Sequence, residues 1–411
     1  MRNTEPSIFL LDNGLRVVYL YDPSVVSHLG VTILAGSRFE RENEVGLAHF
    51  LEHCIFKGTK RRRAFHVLSR LDSVGGELNA YTTKEEIAIY GSFTKEHFNR
   101  TSDLLSDITF NSTFPEKEIE KEKDVVIDEI NSYLDSPSDK ILDDFEALLF
   151  QGNPLGNNIL GTIESVQSFH RDNLLNYVHR LFHPDNMVLS FVGDIPSKRV
   201  VSRLNRDFGS LHRVGEKKNN LLTPRNTPFS ISTPEANYQS HIMIGGYAPG
   251  YNDDRRRIFT LMINILGGPA LNSRLVLAIR EKYGYTYNIE ANYTAYEDLG
   301  YWFVYAGADP KYKRKIIRLI KKELKKFISK ELTPTQLRKA KEQFKGHMAL
   351  AMDSNVGLML NFGKSLLVFD RIDTLTEIHA QIDSITVGDI QTIAKEYFLE
   401  ENCSMLAFDV K

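Results

Sequence analysis

The chain has 411 residues, more than a single hydrophobic core usually holds, so two or three domains are expected. Hydrophobic residues make up 42% of it and charged residues 25%, which is typical of an ordinary globular protein. The net charge of -2 gives no reason to expect a nucleic-acid or membrane partner. The sequence shows no signal-peptide pattern, no apolar run of membrane length and only two cysteines, Cys54 and Cys403. We therefore expect a cytoplasmic protein without a disulfide framework.

The first half of the chain alternates strands and helices. Runs rich in β-branched residues that end in turn residues indicate strands, and apolar residues three or four apart indicate helices. The predicted strands are 15–22, 28–37, a pair within 77–94, and 186–195. The predicted helices are 43–56, 66–76 and 114–134.

A repeat divides the chain in two. The segment 213–228 has few apolar residues and two prolines, which is typical of a linker. Beyond it, SHIMIGGYAPG at 240–250 resembles SHLGVTILAGS at 27–37, at an offset of 213 residues. The sequence therefore predicts two copies of one domain, at 1–212 and 229–411.

The predicted helix at 43–56 contains the pentapeptide HFLEH. His49 and His53 lie one turn apart on one helix face, where two imidazoles can converge on a metal ion, and Glu52 leans over the same region. The order H-x-x-E-H is a known zinc-peptidase signature. The alternative is a surface helix with two exposed histidines.

The second copy does not repeat this polar trio. At the same offset the corresponding residues are apolar: Met262, Ile265 and Leu266. A helix face that only needed to be hydrated would not predict so complete a replacement. The comparison favours a metal site in the first copy alone.

A catalytic zinc site uses three protein ligands and one open position, so a third ligand must come from elsewhere in the chain. The helix at 114–134 offers six carboxylates: Glu116, Glu118, Glu120, Glu122, Asp128 and Glu129. Glu122 and Glu129 lie two turns apart on one face. Spacing alone does not select this pair over the others.

HFLEH, followed 76 residues after its last histidine by a glutamate in KEKDVVIDEI, resembles the pitrilysin/insulysin zinc metallopeptidases. The similarity is greatest to their short branch, with the mitochondrial processing peptidases and bacterial relatives. Three further segments resemble family segments: GGELNAYTTKEEIAIY at 75–90, NPLGNNILGTIESVQSF at 153–169 and FHPDNMVLSFVGDI at 182–195. The resemblance implies an α+β fold of two homologous domains, each a mostly antiparallel mixed sheet flanked by helices.

The resemblance also implies roles for residues of the first domain. His49, His53 and Glu129 would be the ligands of one Zn²⁺ ion per chain, and Glu52 would be the base that deprotonates the attacking water. Glu122 would be the carboxylate behind a ligand histidine.

Four further residues would bind substrate by the same resemblance. Asn79 and Ala80 would lie on an edge strand beside the metal, where an extended peptide can add by main-chain hydrogen bonds. Arg280 and Tyr287 would hydrogen-bond the peptide carbonyl as it becomes tetrahedral. Tyr285 is the alternative to Tyr287.

Together these residues predict a zinc-dependent endopeptidase that cleaves short or unfolded peptides inside an enclosed chamber. Because one chain carries both the zinc motif and the Arg280–Tyr287 pair, the resemblance implies a homodimer in which the C-terminal domain of one chain completes the metal site of the other. Two alternatives are a non-catalytic subunit, like the respiratory-complex core subunits of this fold, and a peptide-binding subunit active only with a different partner.

Overall fold

The computed structural model describes residues 5–211 and 227–411. The predicted linker 213–228, apart from its last two residues, therefore lies outside the described residues. Within them, no helix combines the length and the apolar character needed to cross a bilayer.

The described strands and helices follow the order expected from the sequence, with additional elements between them. The strands are β1 (Ser7–Leu10), β2 (Arg16–Tyr21), β3 (Val26–Ile33), β4 (Glu77–Thr82), β5 (Ile87–Thr94), β6 (Met187–Gly193), β7 (Ser230–Glu235), β8 (Ser240–Ala248), β9 (Asn288–Ala295), β10 (Gly300–Ala308) and β11 (Ser404–Val410). The α-helices are α1 (Leu47–Cys54), α2 (Ala64–Asp72), α3 (Phe98–Asn111), α4 (Glu116–Leu134), α5 (Pro137–Leu149), α6 (Ile163–Ser168), α7 (Arg171–Leu181), α8 (Ser197–Phe208), α9 (Arg256–Gly267), α10 (Lys313–Ser329), α11 (Pro334–Ala351), α12 (Asn355–Phe369), α13 (Leu375–Ser384) and α14 (Val387–Tyr397).

The strands form two sheets with one plan. The first has the order β1-β2-β6-β3-β5-β4 and the second the order β7-β11-β8-β10-β9. In each sheet one neighbouring pair is parallel, β2 with β6 and β7 with β11, and the other pairs are antiparallel. From β2 onward the first sheet matches the second strand for strand. The predicted α+β class with mostly antiparallel mixed sheets is confirmed.

The chain divides into two compact units, and neither is one continuous segment. The first comprises Met1–Asn131, Asn157–Asn220 and Leu350–Ile372, and the second comprises Ser132–Gly156, Leu221–Ala349 and Asp373–Lys411. The sequence predicts continuous domains at 1–212 and 229–411. Instead, Ser132–Gly156 belongs to the second unit although it lies within 1–212, and Leu350–Ile372 belongs to the first unit although it lies within 229–411. These are the two exchanged segments.

Each exchanged segment carries a helix that covers one sheet face within its unit. In the first unit α12 packs on β2, β3 and β6, and in the second α5 packs on β8 and β11. Successive strand residues point to opposite faces, so Val18 and Leu20 of β2 contact the α12 cluster while Val17 and Tyr19 belong to the main core with α1. The central strands β2, β3 and β6 are therefore buried on both faces, which fixes their register.

The helix that carries HFLEH begins later than predicted. The expected range is 43–56, whereas α1 spans Leu47–Cys54 and follows Gly46, whose φ is +92°. A Cβ atom at Gly46 would lie 2.6 Å from the Cα atom of Gly161. The left-handed backbone and this close approach together require glycine, and they set where α1 starts.

Glu40 holds the first turn of α1. Its Oε2 accepts a hydrogen bond from the N–H of Gly46 at 3.0 Å, and its Oε1 accepts one from the N–H of Ala48 at 2.8 Å. The carboxyl is buried, and burial raises its pKa to about 8, although the two N–H groups act in the opposite direction. Glu40 thus satisfies two amides that the start of a helix leaves free.

We expect Glu40→Gln to cost less stability at pH 8 than at pH 5. Because burial raises the pKa of Glu40 from 4.5 to about 8, its contribution to stability is complete below the lower value and is lost as the pH rises through the upper one. Glutamine does not titrate. The difference in free energy of unfolding between the two proteins, from urea denaturation, should therefore fall by on the order of a few kcal/mol.

Glu42→Gln is the matched control, because Glu42 is exposed two residues away and its replacement should cost little stability. A cost of Glu40→Gln that grows with pH would show that the amides favour the ionised carboxylate and would contradict this account.

Candidate metal centre

Two helices of the first unit bring three metal-binding side chains together. His49 and His53 lie one turn apart on α1, with ring centroids 4.6 Å apart. From α4, Oε2 of Glu129 lies 3.7 Å from Nε2 of His49 and 3.4 Å from Nε2 of His53. One donor atom from each residue lies within 4.8 Å of the other two.

This arrangement fits a zinc ion. Ligand atoms bound tetrahedrally at about 2.0–2.2 Å from one ion stand roughly 3.4 Å from each other. Burial lowers the pKa of His49 to about 4, with the neighbouring His53 acting in the same direction, so its imidazole is neutral and able to ligate. Among the described residues no Lys or Arg pairs with Glu129, so the groups that face its carboxylate are the two imidazole nitrogens.

Glu122 and Lys57 stand behind His53. Nδ1 of His53 donates to Oε1 of Glu122 at 3.0 Å, and Oε2 of Glu122 lies 2.6 Å from Nζ of Lys57. Burial alone would raise the pKa of Glu122, but the hydrogen bonds from His53 and Lys57 outweigh it and lower the pKa. The resulting carboxylate holds the Nδ1–H tautomer of His53 and turns Nε2 toward Glu129.

The interaction with Glu122 also affects the pKa of His53. Desolvation by burial lowers that pKa, but the hydrogen bond to Glu122 and the charges of Glu52 and Glu129 raise it by more. The site thus attracts positive charge to His53. A bound metal ion supplies that charge in place of the proton.

Glu52 lies on the same helix and is fixed by Thr82. The Thr82 hydroxyl donates to Oε2 of Glu52 at 3.0 Å. Burial raises the pKa of Glu52, while this hydrogen bond acts in the opposite direction. Thr82 is the last residue of β4, so the strand at the sheet edge is tied to the carboxylate. The segment GGELNAYT ends in this threonine and was the signal that could have identified it.

Asn79 and Ala80 lie on β4, which is the outermost strand of the first sheet as described. Asn79 is exposed and Ala80 half-buried. α1 packs against β4. The predicted placement of these two residues on an edge strand next to the metal helix therefore agrees with the geometry, while their role in substrate binding stays a prediction.

Arg280 and Tyr287 approach each other in the second unit. Arg280 lies on a π-helical turn, Val276–Glu281, and its Cζ is 4.8 Å from the ring centroid of Tyr287, which is 84% exposed. Tyr285 instead stacks on Tyr283 and Tyr312, at 5.1 and 4.5 Å. Between the two candidate tyrosines, the geometry pairs Arg280 with Tyr287.

The tyrosine-rich segment that contains Tyr285, Tyr287 and Tyr293 is not all strand. Tyr285 and Tyr287 precede β9, and only Tyr293 lies on it. Gly284, with φ +64°, turns the chain between the helical segment and these tyrosines. The alternation of aromatic residues therefore spans a turn and the start of a strand.

A second group of possible ligands lies at the surface of the first unit. Glu116, Glu120 and His170 also place donor atoms within 4.8 Å of one another, but all three are exposed. Glu120 is already paired with Lys123 at 2.8 Å. Of these two groups among the described residues, the one on α1 and α4 is partly buried and has a carboxylate behind a histidine.

Two family models match most of the chain. The model described as insulinase, peptidase family M16, matches residues 16–163, and the model described as the peptidase M16 inactive domain matches residues 168–344. YmxG of Bacillus subtilis, named an uncharacterized zinc protease, is 33% identical over 396 residues, which cover 96% of each chain.

Solved structures share the fold at lower identity. A protease from Helicobacter pylori superposes with a TM-score of 0.89 at 21% identity over 99% of both chains. A chain of complex III2 from Candida albicans superposes with a TM-score of 0.84 at 18% identity, over 98% of this chain and 95% of that one. At such identities the likeness shows the fold alone. The family models and the identity to YmxG confirm the resemblance in the sequence, and the chain belongs to peptidase family M16, the insulinase family.

Proposed function

We propose that the chain is a zinc-dependent endopeptidase. The observation that carries the proposal is the convergence of His49, His53 and Glu129 on one point, in a family whose relative YmxG is named a zinc protease. These three residues would hold one Zn²⁺ per chain. Two imidazoles and a carboxylate are ligands that suit zinc.

When bound, zinc supplies a Lewis acid that polarises a carbonyl and lowers the pKa of water toward about 7. Residues of the chain would carry out the proton transfer. Glu52 accepts the proton of the attacking water and passes it to the leaving amine. Thr82 holds one oxygen of Glu52 so that the other is free for the proton, and burial makes this carboxylate a stronger base than an exposed glutamate.

In the proposed homodimer, substrate binding would use the first unit of one chain and the second unit of the other. The free edge of β4, at Asn79 and Ala80, offers main-chain hydrogen bonds to an extended peptide, which gives affinity with little demand on sequence. The guanidinium of Arg280 and the hydroxyl of Tyr287 would donate to the carbonyl oxygen as negative charge develops on it. Short or unfolded peptides, held in an enclosed chamber, are the substrates that this mode accepts.

The alternative is a non-catalytic or peptide-binding subunit of the same fold. A chain of complex III2 from Candida albicans shares the fold, and fold alone does not fix function. Retention of Glu52 together with all three candidate ligands favours the peptidase. A cytoplasmic location and a homodimer remain part of the proposal.

Glu52→Gln should abolish turnover while zinc remains bound. Removal of the proton acceptor should lower kcat/KM for an unstructured peptide by about 10²–10⁴-fold, because glutamine keeps the size of the side chain but takes up no proton. Zinc content by elemental analysis should stay at that of the unaltered protein, and Glu42→Gln should be fully active. Unchanged turnover in Glu52→Gln would refute the mechanism.

Glu122→Gln should weaken zinc binding. Loss of the carboxylate behind a ligand histidine typically reduces metal affinity by about 10–100-fold, since the His53 tautomer is then no longer fixed. Competition with a chelating dye measures the change. Asp128→Asn, which removes an exposed carboxylate from the same helix, should bind zinc with unaltered affinity. Equal weakening in both variants would show a general charge effect instead.

A mixing experiment tests whether two chains complete each site. Homodimers of Glu52→Gln and of Arg280→Ala should both be nearly inactive. A mixed dimer, purified with two different tags, should recover about half of the activity of the unaltered dimer, because one of its two sites then joins an intact Glu52 to an intact Arg280. An inactive mixed dimer would place both residues of each site in one chain.

A further inference from the structure

The second unit contains a cavity whose lining is strongly cationic. It has a volume of about 490 Å³ and lies between the helical segment at 274–283 and the C-terminal part of α10 with the turn that follows it. Five cationic residues line it: Arg274, Lys282, Lys322, Lys326 and Lys330. Only two lining residues are acidic: Glu323 and Glu331. Neither Arg280 nor Tyr287 lines it.

The Arg274 side chain stacks on an aromatic ring, and no acidic side chain of the described residues pairs with it. Its guanidinium stacks on the ring of Phe327, with Cζ 4.1 Å from the ring centroid. Among the residues that the structure describes, none forms a hydrogen bond or ion pair with the Arg274 side chain. Burial lowers the pKa of Arg274, and the negative charge of Glu323 only partly offsets this. The free edge of a stacked guanidinium is a fixed fork of N–H donors.

The position of three of the cavity lysines near the end of α10 is partly explained by the helix dipole. Lys322 and Lys326 are four residues apart and therefore lie on one face near the end of α10, and Lys330 follows directly after its last residue. Cations at a helix C-terminus interact favourably with its dipole, and Lys326 pairs with Glu323 at 2.6 Å. The dipole of α10 does not explain Arg274 or Lys282, because both come from a different helical segment.

We propose that this cavity binds a small anion carrying several negative charges, of the phosphate class, with Arg274 as its bidentate partner. A planar guanidinium matches two phosphate oxygens, and the lysines neutralise the remaining charge as point cations. The volume lies in the range of small-molecule sites. The excess of three cations over carboxylates suits an oligophosphate better than a singly charged ligand.

Isothermal titration with inorganic triphosphate, at constant ionic strength and without peptide substrate, tests the proposal. The unaltered protein should bind, and Arg274→Gln should bind about tenfold or more weakly, since two charge-assisted hydrogen bonds are lost. Arg318→Gln is the matched control, because Arg318 is exposed on α10 and does not line the cavity. It should bind like the unaltered protein.

A second pair of variants tests the same site if Arg274→Gln does not fold. Lys322→Gln should weaken binding, whereas Lys325→Gln, which removes an exposed charge from the same helix outside the cavity, should not. Absence of triphosphate binding, or equal losses in cavity and control variants, would overturn the site. Citrate carries comparable charge on carboxylates, and binding of citrate as tight as that of triphosphate would overturn the phosphate assignment.

Discussion

The first unit is organised around a carboxylate that faces two imidazole nitrogens. Glu129 lies 3.4 and 3.7 Å from the Nε2 atoms of His53 and His49, with no Lys or Arg of the described chain beside it. Burial keeps His49 neutral, and Glu122 holds the Nδ1 proton of His53. Burial lowers the pKa of His53, but the hydrogen bond to Glu122 and the charges of Glu52 and Glu129 raise it by more, so this partly buried site favours positive charge between the imidazoles and the carboxylate. A bound metal ion can supply that charge in place of a proton, which gives the site affinity for one.

The two copies of the fold share an architecture, but only the first carries the candidate metal ligands on the helix that α1 and α9 represent. Both sheets have the same strand order, and α9 occupies in the second copy the sequence position of α1 in the first. There Met262 and Leu266 are buried in the core and Ile265 packs against it, where the first copy has His49, His53 and Glu52. The fold thus tolerates either apolar packing or a metal centre on this helix. The capacity to bind metal comes from a few side chains, so function must be argued from them.

The sequence was informative where signals are local. Among the described residues of the first half, periodicity located five of the six strands but only three of the eight α-helices. The H-x-x-E-H spacing placed two imidazoles on one helix face. The start of α1 was misplaced because a left-handed glycine, not apolar spacing, sets it. Lys57 and Glu40 were missed because their roles depend on partners brought close by the fold. The sequence prediction assumed continuous domains and so assigned α5 to the first domain and α12 to the second. In the structure α5 covers a face of the second unit's sheet and α12 a face of the first unit's sheet.

The central claim is that one zinc ion held by His49, His53 and Glu129 makes this chain a peptidase. Its most direct test is cleavage of an unstructured fluorogenic peptide by the purified chain, followed through removal of metal with a chelator and stepwise return of zinc. We predict complete loss of cleavage, then recovery that saturates at one zinc per chain. Cleavage that survives complete metal removal, or a chain that binds one zinc and cleaves no peptide, would contradict the account.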